Sequence, residues 1–209
     1  MACLHRFHNE LLPEHLTEVL LIGTFNPIWN VAKGDNPDYF YSRSANQFWC
    51  ILPHALGQNC LIDKDRKEKI QFCIQNRIGL SDLIYCIEGV EESDPRHGFL
   101  KKGFKDEDFE RKNETGHYEL EIRFFTEELK RYITNNNGNL KGVFLTRKTS
   151  KGAERIWQHW LSIKTLCQTL GITVGELPSP SPRGGGIRSK INIWRTRLQS
   201  IERNLHSRR

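Results

Sequence analysis

Hydrophobic and polar positions alternate along this chain in short blocks that switch between the period of a strand and that of a helix. Val19-Leu20-Leu21-Ile22-Gly23 is a brief aliphatic run ending in glycine, as expected of a parallel strand buried on both faces. Val143-Phe144-Leu145-Thr146 and Ile172-Thr173-Val174 predict two more strands, and Ile78 to Ile84 a short strand followed by a turn. Between them, Phe48, Ile51, Leu52 and Leu56 recur at helical spacing over Asn46–Leu56, with Pro53 inside. Lys64–Asn76 predicts a surface helix that turns Ile70, Cys73 and Ile74 inward, and Phe124–Tyr132 an amphipathic helix ended by Asn135-Asn136-Asn137-Gly138. Ser150 is placed to cap the helix that holds Trp157, Trp160 and Leu161. Residues 3–18 read as a short polar helix interrupted by Pro13. A final helix, at about 188–207, sets Ile191, Trp194, Leu198, Ile201 and Leu205 on one stripe. Strands alternating with helices predict an α/β fold with a parallel sheet covered on both faces, whose ligands bind outside the carboxyl ends of the strands.

Two segments interrupt this alternation. Thr24 to Arg43 carries Pro27, Gly34 and Pro37, and a loop of that length in a compact domain is usually functional. The stretch at about 88–121 is dense in charge and glycine and is read as an insertion or mobile arm with little to build a core. The 209 residues otherwise fit one domain. The net charge of +6 is unevenly placed: the last 27 residues hold eight basic side chains against one acid, Glu202, leaving −1 over residues 1–182. Such a tail suits either a polyanion partner or a solvated helix face. No apolar run approaches the ~20 residues of a membrane span, and the amino terminus has no signal-peptide core, so no membrane association and a cytoplasmic location are expected. The six cysteines form no C-x-x-C pair and are expected to be reduced, and His5 and His8 lack the companions a metal site needs.

Three segments carry candidate chemistry. In Gly23-Thr24-Phe25-Asn26-Pro27, glycine allows close approach of backbone to a ligand. The Asn26 amide either satisfies the turn's own backbone or holds a water or a base edge. Downstream, Tyr39-Phe40-Tyr41 offers aromatic surface to a flat ligand or to the core. Phe48 and Trp49 read as core, and Asn46 either caps the helix that follows or reaches into the cleft. The third segment, Pro178-Ser179-Pro180-Ser181-Pro182, is a stiff wall with two hydroxyls. It is followed by Arg183-Gly184-Gly185-Gly186-Ile187-Arg188, which is either a grip on a phosphate backbone with Ile187 as its apolar tip or a plain linker.

A strand ending Gly-x-x-Asn-Pro, an aromatic five positions before Asn-x-Phe-Trp, and a late Leu-Pro-Ser-x-Ser-Pro together resemble the uracil-DNA glycosylase superfamily. The nearest branches are the mismatch-specific uracil/thymine and the hypoxanthine-DNA glycosylases. Gly79-Leu80-Ser81-Asp82 resembles the Gly-Leu-x-Asp stretch between those motifs. The resemblance implies a three-layer sandwich with a central, mainly parallel four-stranded sheet flanked by helices. It implies DNA gripped at the strands' carboxyl ends and a target nucleotide flipped into a pocket at a cost of a few kcal/mol. Asn26 matches the residue that positions the attacking water in the mismatch-type branch, and Asn46 the asparagine given importance in the hypoxanthine branch. By the same matching, Tyr41 stacks on the flipped base and backbone near Gly23, Thr24 and Phe25 holds its carbonyl oxygen. Ser179, Ser181, Arg183, Ile187 and Arg188 would contact DNA, with Ile187 as the wedge. The Gln-Asp-Pro-Tyr motif of the uracil-specific enzymes is absent, Leu-Pro-Ser stands where His-Pro-Ser is usual, and the cysteine ligands of the iron–sulfur branches have no counterpart.

The expectation is a monomeric, cofactor-free, monofunctional DNA glycosylase that removes a deaminated or damaged base and leaves an abasic site. A weak or inactive glycosylase-fold protein that binds nucleic acid or a nucleotide is the alternative, and an enzyme acting on a free nucleotide or nucleoside is a third reading.

Overall fold

The computed structural model describes residues 1–29, 38–102, 104–183 and 185–206, with the side chains of 102 and 202–206 left aside. Arg208 and Arg209, the side chain of Leu205 and residues 30–37 of the first loop therefore lie outside the described residues.

The chain begins with β1 (Cys3–Leu4) and β2 (Val19–Gly23), then α1 (Phe48–Ala55), α2 (Arg66–Gln75), β3 (Ile78–Asp82) and β4 (Ile84–Glu88). A one-turn α3 (Phe99–Lys102) precedes β5 (Glu121–Phe124) and α4 (Thr126–Asn135). The last elements are β6 (Gly142–Leu145), α5 (Glu154–Thr169), β7 (Thr173–Glu176) and α6 (Ile187–His206). The central sheet has the order β3-β2-β6-β7 and is parallel throughout, with Leu21 opposite both Leu80 and Phe144. This is the four-stranded parallel sheet flanked by helices that the motifs imply.

Period-two alternation decides which core each strand residue joins. Leu20, Ile22, Val143 and Leu145 face α4 and α5, where Ile133, Ile156, Trp160 and Ile163 are buried. Leu21, Leu80 and Phe144 face the other way, onto Phe48 and Trp49 of α1, Phe72 of α2 and Trp194 of α6. Both faces are apolar, so the strands read as unbroken aliphatic runs. The C-terminal stripe is core as expected, with Trp194, Leu198 and Ile201 buried.

Several expectations are corrected. Residues 3–18 form no helix: Cys3 and Leu4 pair antiparallel with Ile87 and Cys86, and β4 pairs with β5, making a second, three-stranded sheet β1-β4-β5. The His5 amide continues this pairing to the Tyr85 carbonyl (2.7 Å), a partner eighty residues away that local polarity does not reveal. In α2, Phe72, Cys73 and the stem of Lys69 turn inward, while Ile74 is exposed. A capping box between Asp65 and Glu68 sets that helix's start and hence its inward face. Ser150 does not cap α5; Ala153 occupies the cap position, and the Ser150 carbonyl accepts the Ala153 N–H (2.8 Å). Cys50 and Cys60 are joined in a disulfide rather than reduced; the chain folds back there, with Leu61 N–H donating to the Trp49 carbonyl (2.7 Å), which brings the two side chains together.

The charged 88–121 segment is the largest correction. Val90, Leu100, Phe109 and Leu120 are all buried in the core beside β4 and α5. Arg155 of α5 donates to the Phe109 and Leu120 carbonyls (3.2 and 3.0 Å), so the segment is docked against the domain. Among the described residues, no helix is long and apolar enough to cross a membrane.

Candidate active site

Every strand of the parallel sheet delivers a polar turn to its carboxyl end, and these turns enclose a cavity of about 290 Å³. Thr24, Phe25 and Asn26 enter from the end of β2, Asp82 from β3, Thr146 and Arg147 from β6, and Ser179, Pro180 and Ser181 from the chain after β7. Tyr41, Arg43 and Asn46 close one side from the loop before α1, and Phe104 and Asp106 close another from the charged segment.

The first motif is held by its own backbone and by the amino-terminal segment. The carbonyls of Gly23 and Thr24 accept the N–H groups of Leu83 and Ile84 (3.1 and 3.0 Å), and the Asn26 carbonyl accepts Arg6 N–H (2.7 Å). Asn26 is buried, and its Oδ1 accepts from Arg43 Nη2 at 3.1 Å. A methyl group at Gly23 would overlap Asp82 Oδ1 and the Tyr41 hydroxyl, so only glycine leaves these two groups their places.

Tyr41 adopts a positive φ of 57° and stacks flat on Phe48, with ring centroids 4.1 Å apart. One face of the ring is thus spent on the core, and the other is what remains for a flat ligand. Thr146 Oγ1 donates to the Ile22 carbonyl (3.3 Å) and therefore accepts from the Tyr41 hydroxyl (3.1 Å). Burial holds the Tyr41 phenol well above its ordinary pKa, which keeps it a donor. Asn46 Oδ1 accepts the Phe48 N–H at the start of α1 (2.9 Å), while its side chain also lines the cavity. It reaches the cavity as one of its two readings expected, while the cap position of α1 itself is Gln47.

The proline-serine wall is fastened at both ends. The Pro180 carbonyl accepts the Gln47 N–H (2.9 Å), and the Pro178 carbonyl accepts Trp194 Nε1–H (3.1 Å). Lys190 is buried, and its Nζ donates to the Ser181 carbonyl and to that of Arg183, the latter at 2.9 Å. This lysine, one of the eight basic side chains of the tail, clamps the wall from within. Arg183 and Arg188 are exposed outside the cavity. Ile187 opens α6 and is half-buried against the core around Trp194, not raised at a loop tip.

Of the residues named from sequence, Thr24, Phe25, Asn26, Tyr41, Asn46, Ser179 and Ser181 line one cavity, Gly23 lies beneath it, and Arg183, Ile187 and Arg188 stand apart. Sequence reasoning missed Arg43, Asp82, Phe104, Asp106, Thr146 and Arg147. The strand-end rule points to Asp82, Thr146 and Arg147, each of which closes or follows a strand. Phe104 and Asp106 carry no such signal. Asp106 pairs with Arg147 Nη1, and its carboxyl is raised above the ordinary range by burial, an effect that Arg147 and the Thr24 hydroxyl oppose and the charge of Asp82 reinforces. Among the described residues, no cluster of histidine, cysteine and carboxylate side chains suits a metal ion.

The protein is of the open α/β class, with a polar cavity at the carboxyl ends of its parallel strands, where ligands bind in such sheets. No family model matches the chain. A solution NMR structure from Methanosarcina acetivorans, provisionally named a uracil-DNA glycosylase, superposes with a TM-score of 0.52 over 90% of this chain and 93% of that one, at 21% identity. A hypoxanthine-DNA glycosylase of the same organism is 33% identical over 67 residues. That match spans 32% of this chain and 39% of the relative. The likeness to the solved structure thus runs along nearly the whole fold, whereas the likeness to the hypoxanthine-DNA glycosylase is confined to a third of this chain.

Proposed function

We propose that this protein is a monofunctional DNA glycosylase that hydrolyses the N-glycosidic bond of a deaminated or damaged base flipped out of DNA, with hypoxanthine the first base to test. The observation that carries the reading is the convergence of three separate motifs, at Asn26, Tyr41-Asn46 and Ser179-Ser181, on one cavity at the strands' carboxyl ends. Similarity to the hypoxanthine-DNA glycosylase supports the choice of base.

In this reading the base enters between the free face of Tyr41 and the turn at Thr24 and Phe25. Bond breaking leaves positive charge on the sugar and negative charge on the departing base. Asn26 orients the attacking water, and Arg43, which holds Asn26 Oδ1, fixes the amide's direction. The Ser179 and Ser181 hydroxyls meet the phosphates flanking the flipped nucleotide, and Arg183 and Arg188 extend that contact.

The test is incubation with single- and double-stranded oligonucleotides carrying hypoxanthine, uracil, xanthine or ethenocytosine, followed by alkaline cleavage of abasic sites. Product from at least one substrate is expected, with Asn26→Ala lowering turnover far more than DNA affinity. Binding without product on every substrate would sink the hydrolytic reading and leave a nucleic-acid-binding protein of the same fold.

A further inference from the structure

The three motifs bring amides and hydroxyls to the cavity, and none of these takes a proton from water near neutral pH. The cavity also holds two carboxylates that lie outside them, Asp82 and Asp106. Asp82 is already committed. His5, fully buried among the rings of Phe7, Phe25 and Phe40, accepts the Phe7 backbone N–H at Nδ1 (3.0 Å). Its proton must then sit on Nε2, which donates to Asp82 Oδ2 at 2.7 Å.

Asp106 opens a 3-10 turn, Asp106–Glu110, in the charged segment. Phe109 anchors that turn in the core, and Asp108 Oδ2 accepts the Lys105 N–H (2.7 Å) at its start. Arg147 meets the Asp106 carboxylate, and its own guanidinium is held by the Thr149 and Lys151 carbonyls, both at 2.7 Å. The Asp106 carboxylate is therefore set at a fixed point in the cavity wall beside Thr24, two residues before Asn26.

Resting on the glycosylase reading above, we propose that Asp106 is the general base of the reaction, supplied to the motif-built site by the charged 88–121 segment. The water oxygen bonds to C1′ of the flipped nucleotide. The C1′–N bond breaks, and its electron pair leaves on the base. The water's proton passes to the Asp106 carboxylate and from there to the departed base. Asn26 orients the water and Asp106 receives its proton, a division that an amide cannot perform alone.

The charged and titratable groups facing Asp106 are Arg147 after β6, Asp82 at the end of β3 and Tyr41 before α1. Burial and the charge of Asp82 raise its pKa, so it protonates earlier than an ordinary carboxylate as pH falls. Excision by the wild type should accordingly slow in acid, with a midpoint above the ordinary value of an aspartate.

Single-turnover excision and DNA affinity are measured across the acid and neutral range for wild type, Asp106→Asn, Asp106→Glu and, as a control on the same turn, Glu107→Gln. Asp106→Asn keeps an oxygen for Arg147 but cannot take a proton, and is expected to lose on the order of 10²–10⁴-fold in rate with affinity unchanged. It should also lose the acid limb. Asp106→Glu is expected to be slower but to keep that limb, and Glu107→Gln to behave as wild type. If Asp106→Asn excises at the wild-type rate, or Asp106→Glu lacks the acid limb, Asp106 is only the latch that docks the segment and the proposal is overturned while the glycosylase reading stands. If the wild type excises no base, both fall together.

Discussion

The parallel sheet has a cavity at each end of its strands, and the two differ in how their polar groups are used. At the amino ends, Glu18, Val19, Ile78 and Lys141 frame a space of about 370 Å³, larger than the 290 Å³ at the carboxyl ends. Yet its charges are spent on one another. Glu18 is shared between Arg77 and Lys141, the latter at 2.6 Å, and Arg195 donates to the His54 carbonyl (2.9 Å). At the carboxyl ends two amides are each fixed by one named bond and still line the cavity: Asn26 is held by Arg43, and Asn46 by the Phe48 N–H. Volume alone therefore does not mark a site. Rigidly held hydrogen-bonding capacity that the protein has not consumed does.

The sharpest way to break this comparison uses two glycines at opposite ends of the same sheet. A methyl group at Gly23 would overlap Asp82 Oδ1 and the Tyr41 hydroxyl, whereas one at Gly142 would meet the movable tip of Ile201 (2.7 Å) and the edge of Phe144 (2.8 Å). Both alanine variants should lose about 1–3 kcal/mol of stability from overpacking. Only Gly23→Ala should also abolish excision per folded molecule, measured after correcting for the unfolded fraction. Equal activity losses would mean that the two ends are not functionally distinct.

How much of this was legible beforehand depends on where each residue's partner lies. The strands at 19–23 and 142–145 were plain because both faces are buried and an aliphatic run needs no register. The exit of the first marked Thr24, Phe25 and Asn26, whereas that of the second, Thr146 and Arg147, was passed over. Residues 3–18 were misread because β1 and His5 take their structure from β4 and Asp82, some eighty positions on. The 88–121 segment was misread for a related reason. Composition counts its charges but not their partners, and pairs such as Asp106 with Arg147 cross segments. Its core anchors, Val90, Leu100, Phe109 and Leu120, are spaced too widely to show any period. Asp82 stood in view within Gly-Leu-x-Asp, but its commitment became visible only once the tautomer of His5 was fixed.

A smaller effect tests whether positive charge matters by position or only in sum. Arg183 and Arg188 are exposed beside the serine wall, while Arg195 belongs to the opposite cavity. Neutralising Arg183 and Arg188 together should weaken DNA binding and lower its salt dependence by about 2 in the log–log slope, at roughly 0.9 per phosphate contact. Arg195→Gln should leave that slope unchanged. If the two changes act alike, the basic tail is a diffuse field and the DNA path is wider than the carboxyl-end cavity.

The smallest expected effect belongs to the other end and carries a definite pH signature. Burial alone would raise the Glu18 carboxyl, but hydrogen bonds and charge from Lys141 and Arg77 outweigh it and hold the folded-state pKa below its ordinary value. A carboxylate lowered on folding contributes stability that is present above the unfolded pKa and is lost as pH falls through the folded one. Glu18→Gln should thus cost about 1 kcal/mol or less at neutral pH, given how exposed its partners are, and the gap to wild type should close in acid. Urea denaturation at several pH values measures the gap, and excision per folded molecule should not change. A gap that stays constant with pH would show that Glu18 stabilises by packing rather than by charge. A fall in excision would show that the amino-end cavity is coupled to the site through the strands they share.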